Sequence, residues 1–569
     1  MTGNEPQASY DVIVVGSGAA GLTAALTARK LGLSVLVVEK ESLFGGTSAR
    51  SGGWLWIPAN PLAVREGVTD NIEDARTYLR SEAGNHFDPE KVDAFLQNGP
   101  EMVSFLERET AVRFFLSREF PDYHPDGPGG ASGGRSIGTQ PFDARELGPR
   151  VAQLRRPLQE TTFLGMSIGS GTEIRHFFNV TRSIVSAAYV ARILARYGRD
   201  LVRHGRGMRL TNGNALIARL AKTAFDLDIP VWVSTPVTDL LRDNGAVRGV
   251  AVERDGRSIE IEATRGVVLA AGGFSHDRKR TKTHYPQFGR RAGHLSPTAP
   301  GATGDGLRLG ESAGGWVDRA LANPAAWAPV SIVKRRDGSE GLFPHFVDRP
   351  KPGVIAVSKM GRRFVNEANS YHDFIIALLR ECAQSDEDAA YLICDHTAIR
   401  RYGMGFAKPF PVPILHHIRS RYLMRARTIE GLACQIGIEP VKLGQTIAEY
   451  NSHARRGEDP LFGKGSTAYN RFLGDPEHKP NPCVAPIERG PFYAIKVLPA
   501  DIGTYAGMKT DRHARVLDGE GRPIAGLYAA GNDAASIMGG NYPGGGITLG
   551  PGMTFGYIAA RHLAEPSGE

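Results

Sequence analysis

The pattern of apolar and polar positions is clearest at the amino terminus. From Tyr10 to Lys40 the chain reads YDVIVVGSGAAGLTAALTARKLGLSVLVVEK. A continuous apolar run breaks at glycine, gives way to the Ala/Leu spacing of a helix, and returns as a second apolar run ending at Glu39. Short unbroken apolar runs bounded by turn residues predict buried strands, so the segment reads strand, glycine turn, helix, strand. Residues 213–241 repeat the theme as a helix followed by a strand, and RGVVLAAGGFSHD, 265–277, reads as a buried strand closing on a glycine turn. Near the other end, an apolar helix is predicted to start around Leu549, directly after the loop NYPGGGIT. Between 180 and 210 the pattern is that of a basic amphipathic helix. Ile184, Ala188, Val190, Ile193 and Leu194 are apolar, whereas Arg192, Arg196, Arg199, Arg203, Arg206 and Arg209 are basic.

The first glycine turn carries chemistry. Gly16, Gly18 and Gly21 form GxGxxG between a predicted strand and helix, with the acidic Glu39 about 20 positions on, the context in which this motif signifies a dinucleotide site. Gly16 permits the tight turn, Gly18 lets backbone approach a pyrophosphate, and Gly21 lets helix and strand pack closely. Ser17, Ala19 and Ala20 lie within the motif, at a helix start that attracts phosphate, and Lys40 follows the carboxylate that can accept from ribose hydroxyls. The second unusual stretch is Gly544–Gly546, three glycines after Tyr542 and Pro543. Glycine loses the most backbone freedom on folding, so a triple glycine requires a function for bare backbone.

Composition bounds the alternatives. At 569 residues and 41% hydrophobic the chain exceeds the size at which single cores stop growing, so two domains are expected. The net charge of +8 permits anionic partners, but no nucleic-acid motif is present and none is predicted as a partner. The four cysteines lack CxxC spacing and the opening residues lack the features of a secretory signal, which predicts a cytoplasmic setting. No uncharged apolar run approaches the roughly 20 residues that span a bilayer.

The stretch after Glu39, KESLFGGTSARSGGWLWIPAN, resembles the second flavin-contacting loop of the fumarate reductase and succinate dehydrogenase superfamily. That resemblance implies FAD, held non-covalently, rather than NAD. It places Gly46, Thr47 and Ser48 at pyrophosphate and ribityl oxygens, and Gly52 and Gly53 against the isoalloxazine. It also places Val237 at adenine, Ala271 and Gly272 in a flavin-side turn, Asp533 at the ribityl chain, and Ile547, Thr548 and Leu549 near the flavin pyrimidine. The implied fold is α/β: a Rossmann-like FAD-binding domain with a parallel sheet, discontinuous in sequence (1–293 and 488–569), with an inserted α+β catalytic domain (294–487).

SGGWLWIPANPL, PDYHPDGPGG, GRRFVNEANSYHDF and NYPGGGITLGPGMTFGY narrow the resemblance to the FAD-dependent 3-ketosteroid dehydrogenases, most closely the Δ1 type. Such enzymes remove a proton from carbon 2 and a hydride from carbon 1 of a 3-ketosteroid. The resemblance makes Tyr371 the proton acceptor, Tyr123 its partner that lowers its pKa or relays its proton, and Tyr542 with the Gly546 N–H the donors to the developing oxyanion. Gly544 stands where the Δ4-(5α)-dehydrogenase branch is expected to carry serine, which favours Δ1, and Gly545 stands where the common Δ1 pattern has proline. A fumarate-type reductase is disfavoured because tyrosine occupies the place of its arginine clamp. A flavin-binding, membrane-docking protein without turnover is the non-enzymatic alternative. Trp54, Trp56, Ile57, Phe115, Phe374 and Met538 hint at an apolar lining suited to a flat ligand.

The insert 141–210 has two readings, a membrane-surface contact through 180–210 or a solvated face and subunit contact. The first would place the protein peripherally on the inner face of the membrane. A quinone is the electron acceptor the family implies. The proline-rich stretch from Phe406 predicts a loop over the substrate cleft, and the adjacent His416 and His417 lack helical ligand spacing, so no metal site is predicted.

Overall fold

The computed structural model describes residues 9–286, 294–335, 337–383 and 385–566. The strand Ser9–Val15 lies at the centre of an eight-stranded sheet, flanked on both sides by parallel neighbours. Ile13 pairs with Leu36 of strand Val35–Val38 on one side and with Val267 of strand Arg257–Leu269 on the other. Val12, Ile13 and Val14 are fully buried, as expected of a strand covered on both faces. Strand Pro523–Ala529 adds to Arg257–Leu269 in parallel register, and Arg515–Leu517 closes that edge antiparallel. Val231–Trp232 extends the other edge, beyond Val35–Val38.

The helix Ala19–Lys30 packs against the first strand because Gly21 is bare: a Cβ there would sit 2.1 Å from the Gly16 carbonyl oxygen. The other side of this helix is covered by Leu549–Ala564, where Gly556 approaches the Ala20 carbonyl. Helix Asn212–Asp226 and helix Leu549–Ala564 begin close to where the sequence pattern places them.

A second, six-stranded sheet is wholly antiparallel, in the order Glu340–Pro344, Ala325–Lys334, Phe492–Thr504, Ala390–Cys394, Val354–Ser358, with Met424–Ala426 also paired to Phe492–Thr504. The boundary expected at 488 therefore needs correction. Residues 492–504 are hydrogen-bonded within the second sheet, with Ala328 opposite Ala500 and Leu392 opposite Ile495, and the chain rejoins the first sheet only at Arg515. A fully buried ionic cluster stiffens this part: Arg363 binds both oxygens of Glu367 at 2.8 Å and also Asp459, while Lys464 lies 3.8 Å from Glu367.

The insert folds as short helical turns followed by a 21-residue helix, Ile184–His204, capped by Ser183 and ended by Gly205 in a left-handed conformation. Ile184 and Val202 are 89% exposed, and Ala188, Ala191 and Ala195 between them are also exposed on the same face. Val190 instead packs inward. No helix among the described residues is long and apolar enough to cross a membrane.

Candidate active site

A cavity of about 1420 Å3 runs from the end of the first strand to the second sheet. Single-ligand clefts hold about 300–1,000 Å3, so this one has room for two ligands in line. Gly16, Ser17, Gly18, Ala19, Ala20, Glu39, Lys40, Gly46, Thr47, Ser48, Gly52, Gly53, Val237, Ala271, Gly272, Thr548 and Leu549 line it, together with Tyr123, Tyr371, Tyr542 and Gly546.

The nucleotide end is preorganised by the chain itself. Ser17 donates its hydroxyl to Glu39 at 2.6 Å, and the Glu41 N–H holds the other carboxylate oxygen at 3.0 Å. Ser48 accepts from the Ala19 N–H at 3.1 Å, which ties the second loop to the start of the first helix. Lys40 pairs with Asp305 at 2.5 Å. Gly53 adopts φ +69°, and a Cβ there would lie 2.4 Å from Asn212, so the loop hugs the start of helix Asn212–Asp226. A helix start framed by glycine and facing an open cavity fits a pyrophosphate, and the oriented Glu39 fits ribose hydroxyls.

Three of the sequence-derived residues do not face this cavity. Gly21 is packed beneath it, as its packing role demands. Ile547 is buried on the far side of its loop. Asp533 departs from the expected ribityl contact: its carboxylate is turned to the N–H groups of Ala271 at 2.5 Å and Gly273 at 2.9 Å, and Asn532 faces the cavity in its place. Full burial, opposed by those amides, pushes the Asp533 pKa up to about 6. Among the hinted apolar residues, Trp54 and Phe115 line the cavity, whereas Trp56, Ile57, Phe374 and Met538 are core.

At the other end three tyrosines from distant segments converge. The Tyr123 and Tyr371 hydroxyls are 3.1 Å apart. The Tyr542 ring stacks on Tyr123, with centroids 5.4 Å apart and planes 9° from parallel, and meets Tyr371 edge-on at 4.9 Å. Tyr371 is the first residue of helix Tyr371–Glu381, whose cap Ser370 accepts from the Asp373 N–H, and the ionic cluster on Arg363 and Glu367 fixes the approach to that cap. Tyr542 is held because the Pro543 carbonyl accepts from both the Tyr123 N–H at 2.8 Å and the Tyr78 hydroxyl at 2.7 Å.

The triple glycine is bare for steric reasons at each position. A Cβ on Gly544 would meet the Trp56 ring at 2.5 Å, one on Gly545 the Phe120 ring at 2.7 Å, and one on Gly546 the Trp54 backbone at 2.5 Å. Gly546 has φ +104°, a conformation that favours glycine. Its N–H has no acceptor among the described residues, and it borders the cavity.

Burial, then the neighbouring phenols, holds Tyr371 and Tyr123 well above the ordinary phenol value, and burial pushes Tyr542 up to about 12. All three phenols are neutral at pH 7. The expectation that Tyr123 depresses Tyr371 is not met, because the cluster is desolvated and its nearest polar neighbours are uncharged phenols. Sequence reasoning also missed Tyr469, whose ring lies 4.5 Å from Tyr123, and Phe346, 4.7 Å from Tyr371. Neither sits in a motif, and only the fold brings them in.

Residues 11–549 match the FAD binding domain family. The chain is 43% identical over 556 residues to a 4-oxocyclohex-2-ene-1-carboxylate 5-dehydrogenase of Sinomonas cyclohexanicum, covering 98% of this chain and 94% of that one. It is 38% identical over 582 residues to a 3-oxosteroid 1-dehydrogenase of Mycobacterium tuberculosis, covering 98% and 99%. The crystal structure of 3-ketosteroid Δ1-dehydrogenase from Sterolibacterium denitrificans, in complex with 1,4-androstadiene-3,17-dione, superposes with a TM-score of 0.90 at 37% identity, covering 98% of this chain and all of the other. The glycine-framed cavity, the fold and these likenesses agree: the chain belongs to the FAD-binding flavoprotein dehydrogenases related to the 3-oxosteroid 1-dehydrogenases, and is an FAD-dependent oxidoreductase.

Proposed function

We propose that the protein is a 3-ketosteroid Δ1-dehydrogenase, which introduces a double bond beside a ring ketone. The observation that carries this reading is the meeting of Tyr123, Tyr371 and Tyr542 with the unpartnered Gly546 N–H on one wall of the cavity. A proton next to a ketone becomes acidic only as the oxygen gains enolate character. The neutral Tyr542 hydroxyl and the Gly546 N–H are the donors that stabilise that charge. Tyr371 accepts the proton from carbon 2 as its phenolate, having given up its own hydroxyl proton across the contact to Tyr123 as Tyr123 releases one toward solvent, so Tyr123 serves as a relay. FAD, when bound, supplies the acceptor for the second hydrogen with its electron pair. Gly544 supports Δ1 over Δ4-(5α): a serine side chain there would collide with Trp56.

A second reading is favoured by one specific feature. The relative from Sinomonas cyclohexanicum is named for a small ring ketone bearing a carboxylate. Lys408 borders the cavity between the Phe343 and Phe406 rings, and among the described residues its ammonium has no ion pair or hydrogen bond. Burial pulls its pKa down to about 8, which leaves it largely cationic at neutrality and able to receive a carboxylate. Anaerobic mixing with androst-4-ene-3,17-dione and, separately, with 4-oxocyclohex-2-ene-1-carboxylate tests both readings through flavin bleaching and product structure. Bleaching by the steroid with a new C1–C2 double bond supports the first. Bleaching by the carboxylate alone transfers the assignment to the second.

The exposed stripe Ile184, Ala188, Ala191, Ala195 and Val202, flanked by Arg192, Arg199 and Arg203, supports peripheral attachment to an anionic membrane from the cytoplasmic side. Co-sedimentation with vesicles containing anionic lipid, lost in Ile184→Asp/Val202→Asp, is the expected result. A quinone is the acceptor that this setting favours.

A further inference from the structure

The segments bearing the three tyrosines are also joined outside the cavity. His124, next to Tyr123, places Nδ1 2.9 Å from one Glu82 carboxylate oxygen and Nε2 2.8 Å from Asp373, two residues beyond Tyr371. Asn541, next to Tyr542, donates its side-chain amide to the Glu82 carbonyl at 2.7 Å. The His124 N–H donates to the Tyr78 hydroxyl, which in turn donates to Pro543. Tyr123 and Tyr542 are therefore already locked to each other by backbone, through the Tyr123 N–H and the Pro543 carbonyl. Beyond their own hydroxyl contact, the His124–Asp373 pair is, among the described residues, the direct polar tie between the Tyr123 loop and the Tyr371 helix.

We propose that the Glu82–His124–Asp373 chain is a clamp that sets the distance between the Tyr123 and Tyr371 hydroxyls, making His124 and Asp373 positioning residues for proton transfer. Two carboxylates flank one imidazole, and Asp373 lies in the first turn of its helix, where negative charge is favoured. Burial opposes the charge, but the bonds to Asp373 and Glu82 push His124 up to about 10, so the imidazolium persists across the working range. Glu82, His124 and Asp373 do not line the cavity, so their effect is one of register. Losing it lets the loop and helix drift apart by a fraction of an ångström, and a displacement of about 1 Å costs up to about 100-fold in rate.

This inference rests on the reading of Tyr371 as proton acceptor, so Tyr371→Phe is the reference. Flavin reduction under anaerobic single-turnover conditions would be followed for Asp373→Asn, His124→Gln and Glu82→Gln. The substrate would be androst-4-ene-3,17-dione, unlabelled or deuterated at carbon 2, with flavin content measured for each protein. The clamp predicts a fall of about ten-fold or more for Asp373→Asn and His124→Gln, an apparent substrate affinity within about two-fold, and a larger isotope effect than in the parent. Glu82→Gln leaves the His124–Asp373 bond in place and gives a smaller fall with the same rise in isotope effect; as a change at the outer end of the clamp it is the variant to rely on if the others do not fold. Rates within about two-fold of the parent, or a fall explained by lost flavin with an unchanged isotope effect, overturn the clamp while Tyr371→Phe remains inactive. An active Tyr371→Phe overturns the underlying reading and the clamp with it.

Discussion

Gly546→Ala is the sharpest perturbation of the proposed oxyanion site. The added Cβ would stand 2.5 Å from the carbonyl carbon and oxygen of Trp54 and 2.6 Å from the Leu55 nitrogen, against an ordinary contact of 3.4 Å or more. These are backbone atoms of a strand paired to Ser136–Thr139, and the Trp56 N–H already donates to the Gly546 carbonyl, so the wall does not recede. The loop must retreat by about 0.9 Å instead, which takes the Gly546 N–H and Tyr542 with it. Backbone strain at φ +104° adds about 1–3 kcal/mol. A displacement of this size, or the loss of one oxyanion donor, each reduces rate by about 100-fold or more. Stopped-flow flavin bleaching at saturating steroid should therefore slow by at least about 100-fold, with a lowered melting temperature. Gly444→Ala is the control: it lies within helix Pro440–Ala454 with open space at its Cβ, and should stabilise by about 0.5–1 kcal/mol. A Gly546→Ala protein reducing flavin within about three-fold of the parent would refute the argument.

Tyr371→Phe should lower the rate of flavin reduction by about 100-fold to 10,000-fold, and since Tyr371 is held above the ordinary phenol value, the parent rate should keep rising with pH up to about 10; a plateau near pH 7 in stopped flow would contradict this. Glu367→Gln should destabilise by about 3–5 kcal/mol at pH 7, because Arg363 loses a buried partner. Burial opposes ionisation of Glu367, but Arg363 and Lys464 hold its pKa below the usual carboxylate value. Its contribution is therefore present above about pH 4.3 and lost as pH falls through the folded value, so the deficit of the variant, measured by denaturant titration, should shrink in acid. Gly21→Ala places a Cβ 2.1 Å from the Gly16 carbonyl oxygen and should yield protein depleted of FAD, checked by absorbance ratio after purification.

The nucleotide end was legible because its signals are local. A glycine turn between an apolar run and a helix is written in consecutive residues, and the structure builds the strand, turn and helix where the pattern sets them. The tyrosine end was legible only through whole motifs resembling a known family, since Tyr123 and Tyr371 are 248 positions apart. What escaped was set by tertiary pairing. Residues 492–504 carry no mark of which sheet they join, Asp533 satisfies backbone amides that no pattern reveals, and Tyr469 and Phe346 reach the site from unremarkable segments. The raised pKa of Tyr371 belongs to the same class, because it depends on how much water the assembled walls exclude.

The threading of the first sheet also fixes a timetable for biosynthesis. Strand Arg257–Leu269 must wait for Pro523–Ala529, which emerges about 250 residues later, or roughly 12–50 s at ordinary rates of translation. During that interval the nascent protein carries an uncapped parallel edge, a template for association with the wrong partner. Asn532, Thr548, Leu549 and Gly552, all part of the cavity wall, arrive later still. The wall of the cofactor cavity is thus completed only once Gly552 has been made, so a chain interrupted before Asn532 leaves the ribosome with that cavity open on one side.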